Sequence, residues 1–423
     1  MRWGGLPVAV CGLGVSGTAA AEVLLRLGAR VTVVEVDPDE TRAAAIEALG
    51  AQVVAGEEDP DLHPDLVVTS PGWRPTQPYL ARMASLGVPV WGEVELAWRL
   101  RPARQRWYAV TGTNGKTTTT EMLGAMLATG PAPAATAGNI GTPLVQVVTA
   151  PEPPEAVAVE LSSFQLHWTS TLAVAAGAIL NVAPDHLDWH GSFESYAAAK
   201  RRIWGPGTTA VYNADDPAVV ALTDGVPDLV PFSLSQPYEG PLAVSGPHNL
   251  ANATAAATLA RLAGISEEGI ACALRDFRTG GHRLVTVATL DGVAYVDDSK
   301  ATNPHAAQRA IESYDSVVWI AGGLNKGLAF DDLVAATRHK LRAAVLIGTC
   351  AAEVRDALAR HAPEVPVTDA GDLHTAVGTA RRLARPGDTV LLAPAAASMD
   401  QFTDYAARGD AFAAEVRALE ARE

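Results

Sequence analysis

Residues 107–120 read WYAVTGTNGKTTTT. The apolar run from Trp107 to Val110 stops at Gly112, Asn114 and Gly115, and Lys116, Thr117 and Thr118 then open a stretch of hydroxyls. That order predicts a strand, a tight loop and a helix, in which backbone N–H groups and one ammonium wrap phosphates. A hydroxyl directly after the lysine is placed to reach a magnesium ion bridging terminal phosphates. The generic phosphate loop carries a further glycine six residues before its lysine, and here that position is Val110. Two readings of Gly112, Thr113, Asn114, Gly115, Lys116, Thr117 and Thr118 therefore stand: an ATP or GTP site, or a Gly/Asn turn whose Thr and Asn side chains cap a helix.

N-terminal to this stretch, Leu6 to Cys11 reads as a strand, followed by Gly12-Leu13-Gly14-Val15-Ser16-Gly17 and an Ala/Leu-rich helix. A second strand, Val31 to Val34, leads to Glu35. Glycines there permit a tight turn and close approach of a diphosphate, and an acid after the second strand suits a ribose. The same strand, loop and helix serve a dinucleotide cofactor, another nucleotide-linked ligand or a structural turn. Further strands at Leu66 to Thr69 and Val88 to Trp91 end near Ser70-Pro71-Gly72 and Glu93, and Pro102, Ala103 and Arg104 read as a hinge.

C-terminal to it, strand ends repeatedly present polar clusters. Ala156 to Val159 delivers Glu160, a natural magnesium ligand beside a phosphate loop or a helix-capping acid. Leu172 to Ile179 reads as a strand delivering Asp185, His186 and Asp188, which suit metal, a catalytic base or an Asx turn. Fourteen residues after His186, Lys200 reads as a solvated helix lysine, a phosphate neutraliser or a modified lysine offering oxygen ligands. Asn249 suits either an adenine edge or an N-cap. The junction from Phe277 to Leu284, with Thr279 and two glycines before His282-Arg283, reads as a hinge with a cationic phosphate contact or as an exposed basic turn. Beyond it, strands at Val293 to Val296, Val317 to Ile320, Ala343 to Ile347 and Thr389 to Leu392 alternate with helices, among them Asp332 to His339, so mainly parallel pairing is expected. Lys300, Lys326 and Ser398 follow three of these strands and point to a shared anion site.

Composition bounds these readings. With 423 residues, two or three domains are expected, and 48% hydrophobic residues with 6% aromatics imply cores packed from Ala, Val and Leu. A formal net charge of −15 disfavours nucleic acid or an anionic membrane as partner. Three scattered cysteines, Cys11, Cys272 and Cys350, indicate neither a disulfide framework nor a thiolate zinc site and fit the reducing cytosol. No apolar run reaches the roughly 18 to 20 residues needed to span a bilayer.

Taken in order, GTNGKT (112–117), GNIG (138–141), ELSSFQL (160–166), NVAPDHLD (181–188), YAAAK ending at Lys200, GPHNLANA (246–253), His282-Arg283, DDSKATN (297–303) and SMDQF (398–402) resemble the ATP-dependent Mur ligases, which build the peptide of the bacterial cell wall. The resemblance covers essentially the whole chain. It implies an α/β protein of three domains: a Rossmann-like N-terminal domain binding UDP (1–100), a central mononucleotide-binding, P-loop-like domain for ATP (105–284) and a Rossmann-like C-terminal domain for the incoming amino acid (285–423). By resemblance, Lys116 contacts the ATP phosphates within the Gly112 to Thr118 cradle. Thr117 and Glu160 hold one magnesium ion, and His186 and a carbamylated Lys200 serve a second. Asn249 and Asn252 fall near the adenine, Arg283 at a phosphate, and Asp298 and Lys300 at ribose and phosphate. Lys116, Glu160, His186, Lys200 and Arg283 form the implied catalytic set.

For the substrates, Gly14, Val15, Ser16, Glu35, Ser70, Pro71 and Gly72 match the UDP-holding part. Asn139, Ser162, Gln165 and His186 surround the muramoyl-alanine end, and Thr302, Lys326, Ser398 and Tyr405 hold the amino acid. SKATN and the terminal DQF, together with the absence of a DNPR motif, point to the D-glutamate step. The implied reaction joins D-glutamate to UDP-N-acetylmuramoyl-L-alanine through an acyl phosphate, in a cytoplasmic monomer. The chain departs from the family pattern at Leu324, where aspartate is frequent, at Tyr405, where phenylalanine is common, and at Glu35, where aspartate is frequent. Alternatives are a neighbouring amino-acid-adding enzyme, either another Mur ligase or a folylpolyglutamate-type ligase, an NAD-dependent oxidoreductase read from Gly12, Gly14 and Gly17, and a catalytically silent UDP-sugar sensor.

Overall fold

The computed structural model describes residues 2–56, 61–278 and 280–420, so Thr279 of the expected hinge lies outside the described residues. The chain forms two compact units, Met1–Val182 with Glu194–Phe277, and Ala183–Phe193 with Arg278–Glu423. Both are α/β. The first unit holds two parallel sheets, the second a mixed one.

The first sheet is built from β1 (Pro7–Cys11), α1 (Val15–Arg26), β2 (Arg30–Glu35), α2 (Glu40–Ala48), β3 (Gln52–Ala55), β4 (Leu66–Thr69), α3 (Pro78–Ser85) and β5 (Val90–Gly92), in strand order β3-β2-β1-β4-β5. Chain order reverses at β1, where the loop Gly12–Gly17 leaves the sheet, and ligands collect outside such switch points. α4 (Glu93–Leu100) then leads to the second sheet. β6 (Arg106–Thr111), α5 (Lys116–Leu127), β7 (Ala134–Gly138), α6 (Leu144–Val148), β8 (Ala156–Glu160), α7 (Ser163–His167) and β9 (Ala176–Ile179) come first, and α8 (Leu187–His190) lies in the stretch that belongs to the second unit. α9 (Phe193–Arg201), β10 (Thr209–Asn213), α10 (Pro217–Ala221), β11 (Leu229–Phe232), α11 (Pro247–Leu262) and α12 (Glu267–Arg275) complete it. The strand order β11-β10-β9-β6-β8-β7 puts β6, the strand of the opening stretch, in the middle. Buried on both faces, β6 reads as the apolar run Trp107 to Val110 and β8 as a continuous Val/Ala run, as parallel strands do.

The second unit comprises β12 (Val285–Leu290), β13 (Val293–Asp297), α13 (Pro304–Glu312), β14 (Val317–Gly322), α14 (Asp331–Thr337), β15 (Leu341–Ile347), α15 (Ala351–His361), β16 (Val367–Gly371), α16 (Leu373–Leu383), β17 (Thr389–Leu392) and α17 (Tyr405–Glu420). Its order is β12-β13-β17-β14-β15-β16, parallel except for the β12 and β13 hairpin. Alternate residues of β14 serve different cores: Val317, Trp319 and Ala321 on one face, Val318 and Ile320 on the other. α13 starts where Pro304 sets the first helical φ and Asn303 caps Ala306 N–H.

Two expected elements are corrected. The strand read from Leu172 begins only at Ala176, because Ser170 and Thr171 are tied by hydrogen bonds to Glu95 and the chain reaches the sheet later. The helix read from Asp332 to His339 runs from Asp331 to Thr337 and tightens into a 3-10 turn at Arg338–Lys340. β3, β7, β11, β12 and β16, mostly short or half-exposed, were not among the expected strands.

Candidate active site

β6 ends at Thr111, whose hydroxyl donates to Leu161 O at 2.7 Å and ties the loop to the strand end carrying Glu160. Asn181, at the end of β9, clamps the loop from the other side. Its Oδ1 accepts Asn114 N–H at 2.8 Å, and its amide donates to Asn114 O at 3.0 Å. Gly115 turns the chain into α5 with φ +83°, and a Cβ there would overlap the Oδ1 of Asn252. Asn252 of α11 is thus packed against the loop. α5 starts with Gly115 at its N-cap and no side-chain cap, so the reading of Thr and Asn as capping residues is not the one realised. A 12-residue helix with its partial positive end at this loop suits an anion.

Lys116 Nζ donates to Gly112 O at 3.0 Å and Thr113 O at 2.9 Å. Lys200 is 1% exposed, which corrects its reading as a solvated helix lysine. Its Nζ donates at 2.8 Å to the same Gly112 carbonyl and sits 4.4 Å from the centre of the Tyr196 ring. Two ammonium groups on one oxygen stand within about 6 Å of each other, a like-charge conflict in a low-dielectric place. Tyr196, 1% exposed, also shares a 3.0 Å hydrogen bond between its hydroxyl and that of Thr113. Asn181 and Tyr196 were not among the expected site residues. Their signal was available: an asparagine directly after a strand beside the loop, and a tyrosine four residues before Lys200 on the same helix face.

Glu160 ends β8 with its Cα across from Val110 and is 1% exposed. Its Oε1 accepts from the Asn139 amide at 2.8 Å, while its buried Oε2 has no hydrogen-bond partner. The helix that follows is capped by Ser162, so Glu160 is not a capping acid. An ionisable oxygen left bare in a buried place fits a site completed by a hard cation. Among the described residues no group of three or more His, Cys, Asp and Glu side chains stands ready to hold a metal; magnesium, which keeps water and takes phosphate oxygens, does not require one. Ser162 and Gln165 form a reciprocal capping box, with Ser162 N donating to Gln165 Oε1 at 2.9 Å and Gln165 N to Ser162 Oγ at 3.1 Å. Asn249 is not an N-cap either. That position is Gly246, and the Asn249 amide donates to Ser245 O at 2.8 Å.

In the first sheet, Glu35 accepts Leu13 N–H at 2.7 Å and Val36 N–H at 3.0 Å, holding the glycine loop in place. Gly17 packs against the Gly12 carbonyl with no room for a Cβ, whereas a Cβ on Gly14 would meet nothing within 4 Å. Exposed Gly14 and Val15 and half-buried Ser16 thus leave an open cradle at the start of α1, and the buried Ser70 Oγ beside it lacks a hydrogen-bond partner. Pro71 and Gly72 follow Ser70 in a turn.

Within the second unit, His186 has a left-handed backbone, φ 54°, and its ring lies 3.7 Å from Asp185. Buried Asp185 accepts from Lys326 Nζ at 3.0 Å and from the Asn303 amide at 3.1 Å, which draws Lys326 towards the DDSKATN turn. Leu324 and Ala397 exchange backbone hydrogen bonds of 2.8 and 3.0 Å, setting the Lys326 loop beside the loop of buried Ser398. Leu324 uses its backbone there, and its side chain is exposed. Lys300 Nζ donates to the Tyr405 hydroxyl at 3.1 Å, so Lys300 and Lys326, which follow strands of the same sheet, bond to different side chains. Thr302 N–H donates to Lys300 O at 2.8 Å. Burial pushes the Asp298 carboxyl up to about 7, and Asp297 adds to this, while Leu284 N–H and Arg283 pull the other way.

Two family models span most of this machinery: the Mur ligase middle domain matches residues 110–239, and the Mur ligase glutamate ligase domain matches 282–396. The chain is 57% identical to UDP-N-acetylmuramoylalanine--D-glutamate ligase of Frankia casuarinae, covering 99% of this chain and 96% of that one. The chain belongs to the Mur ligase family. Identity to the enzyme of the same name from Thermobifida fusca is 51%, over 99% of this chain and 100% of that one. Among solved structures, UDP-N-acetylmuramate-alanine ligase of Thermotoga maritima shares the fold, with a TM-score of 0.59 at 19% identity over 99% of this chain and 100% of that one. A third model, the alanine dehydrogenase/PNT C-terminal domain, matches residues 3–70 alone. It covers the strand, glycine loop and helix common to such folds and leaves the loop at Lys116, Glu160 and Lys200 outside. No described helix is long and apolar enough to cross a membrane.

Proposed function

We propose that this Mur ligase joins D-glutamate to the L-alanine carboxylate of UDP-N-acetylmuramoyl-L-alanine at the expense of ATP, the D-glutamate step of peptidoglycan precursor synthesis. The choice of substrates is supported by the D-glutamate ligases at 57% and 51% identity. One observation carries the chemistry: around the loop before α5, Lys116 and Lys200 converge on a single carbonyl, with the bare Glu160 Oε2 on the strand beside β6. Such a grouping neutralises and aligns phosphates.

A carboxylate is a poor electrophile. An oxygen of the acceptor carboxylate attacks the γ-phosphorus of ATP, ADP leaves, and an acyl phosphate forms. The D-glutamate amine attacks the acyl carbon, the tetrahedral intermediate collapses, phosphate departs and the amine gives up a proton. Lys116 and the N-terminus of α5 hold the phosphates, and Arg283 compensates the charge that develops on the transferred group. Thr117 and Glu160 would hold one magnesium ion, and His186 with carbamylated Lys200 a second; the ions supply charge neutralisation across the terminal phosphates. The crowding of Lys116 and Lys200 on one oxygen supports carbamylation, which replaces a repelling cation with oxygen ligands. Asn139 orients Glu160, Asn252 packs beneath the loop, and Asn249 lies near the adenine. Asp298 and Lys300 take ribose and phosphate. Thr302, Lys326, Ser398 and Tyr405 bind D-glutamate, with Lys326 and Ser398 on its carboxylates. Gly14, Val15, Ser16, Glu35 and Ser70 to Gly72 hold the UDP. Asn139, Ser162 and Gln165 line the muramoyl-alanine end, the last two as a rigid helix start and not as free side chains.

The corresponding division is a Rossmann-like UDP domain (1–100), a P-loop-like ATP domain (105–284) and a Rossmann-like amino-acid domain (285–423), in a monomeric cytoplasmic enzyme. Phosphate release with UDP-N-acetylmuramoyl-L-alanine and ATP, compared for D-glutamate, L-glutamate, L-alanine and meso-diaminopimelate, tests the reading. D-Glutamate alone should support turnover. Release driven equally by another of the four would overturn the assignment.

A further inference from the structure

Helix α4 is buried along its first six residues, Glu93 to Trp98, although its first turn carries two carboxylates. It follows β5 of the first sheet directly, and its side chains end on segments of the second. Glu95, fully buried, accepts five hydrogen bonds. Ser170 gives its N–H at 2.9 Å and hydroxyl at 3.1 Å, Thr171 its N–H at 3.1 Å and hydroxyl at 2.6 Å, and Arg99 its Nε at 2.7 Å. Burial alone would raise its pKa, but these donors together lower it, so the carboxylate stays ionised. Gly92, just before α4, donates its N–H to Trp168 O at 3.1 Å, and a Cβ on Gly92 would stand 2.9 Å from the Trp168 Cβ. Trp168 is the C-cap of α7, the five-residue helix whose other end is the Ser162 and Gln165 capping box. Anchoring Trp168 to Thr171 therefore fixes Gln165 within one turn and Ser162 within two.

Glu93 grips the other flank. Its Oε1 accepts Val145 N–H at 2.6 Å in the first turn of α6. α6 follows the Gly138–Gly141 loop, closed by a bridge between Ala137 and Thr142, and that loop carries the Asn139 amide bonded to Glu160. One helical turn of the first sheet's chain thus holds both segments that flank Glu160. Exposed carboxylates would not need this arrangement, and burying a charge without such partners is expensive.

We propose that Glu93 and Glu95 are positioning residues that register the UDP handle held by the first sheet against the acceptor carboxylate at Glu160. The inference rests on the reading given above, in which Asn139, Ser162 and Gln165 line the acceptor end. Binding energy from a remote handle raises turnover only when handle and reacting group are held in one rigid frame. Loosening the frame should then erase the advantage of the handle and leave the chemistry of a handle-free acceptor untouched.

The experiment compares kcat/KM for UDP-N-acetylmuramoyl-L-alanine and for N-acetylmuramoyl-L-alanine lacking UDP, in the full-length enzyme and in Glu95→Gln. We expect about a tenfold loss with the UDP-linked acceptor, less than twofold with the UDP-free one, and unchanged KM for ATP and D-glutamate. Equal losses with both acceptors, or none, would overturn the proposal. Thr171→Val removes one of the five donors and should act in the same direction more weakly, which keeps the test open if Glu95→Gln does not fold. Asn139→Ala separates this inference from the reading beneath it. A raised acceptor KM in Asn139→Ala with an inert Glu95→Gln overturns the positioning role and spares the site; an unaltered acceptor KM in Asn139→Ala overturns both.

Discussion

Replacing Glu93 by glutamine should make the variant more stable relative to the native enzyme as the solution goes from acid to alkaline. Glu93 is 2% exposed, and burial pushes its carboxyl up to about 7, against only the Val145 N–H that favours ionisation. In the unfolded chain the same carboxyl titrates near 4.5. The folded protein therefore keeps a proton that the unfolded chain gives up, and stability falls as pH rises through that interval. The contribution is whole below about pH 4.5 and lost as pH passes 7, about 3 kcal/mol in all. Glutamine has nothing to titrate, and its Oε1 still accepts from Val145. Its amide N–H adds a fixed cost or gain that does not vary with pH.

The measurable quantity is thus a difference of differences. Urea unfolding of the native enzyme and of Glu93→Gln at pH 5 and pH 8 cancels every other titrating group, as well as the fixed offset of the amide. Relative to the native enzyme, the variant should gain about 2–3 kcal/mol on going from pH 5 to pH 8, and hydrogen exchange at Val145 N–H should show the same trend locally. Curves that stay parallel across this range would refute the reasoning, because they would mean that Glu93 ionises at its ordinary pKa despite its burial.

Other outcomes follow from the site. Lys116→Ala should lower kcat by roughly 10²- to 10³-fold with intact folding, read by phosphate release and circular dichroism. Lys326→Ala should raise the D-glutamate KM by roughly tenfold or more while the ATP KM stays within twofold; equal rises would remove its specific role. Lys200→Ala should be inactive and regain activity with a small added carboxylic acid if a carbamate supplies oxygen there. Gly115→Ala should weaken nucleotide binding, measured by calorimetry, since φ +83° and the Asn252 side chain both oppose a Cβ.

Much of the fold was legible because the signals are local. Continuous apolar runs marked β1, β6, β8, β14 and β17. The strands that escaped notice, β3 and β16 among them, are short and partly exposed, so burial on two faces never wrote a continuous apolar run into them. The strand, tight loop and helix around Gly112 to Thr118 were legible for the same local reason, even though Val110 stands where the generic pattern has glycine. A glycine there is dispensable, because Val110 is still inside β6, paired with Ala178 of β9 and Glu160 of β8.

Lys200 and the α4 carboxylates were illegible for the opposite reason. A lysine at the end of YAAAK, and GEVEL with acids two residues apart, look solvated in one dimension, since charged residues are rarely buried. What buries them is distant in sequence: Gly112 is 88 residues before Lys200, and Thr171 is 76 after Glu95. Each charge is tolerated by a different device. Glu95 is surrounded by donors, Glu93 holds on to its proton, and Lys200 shares a carbonyl oxygen with a second ammonium. The first two devices close within the protein itself, whereas the third brings two ammonium groups onto one oxygen, a like-charge crowding that an anion or a change in the lysine would ease.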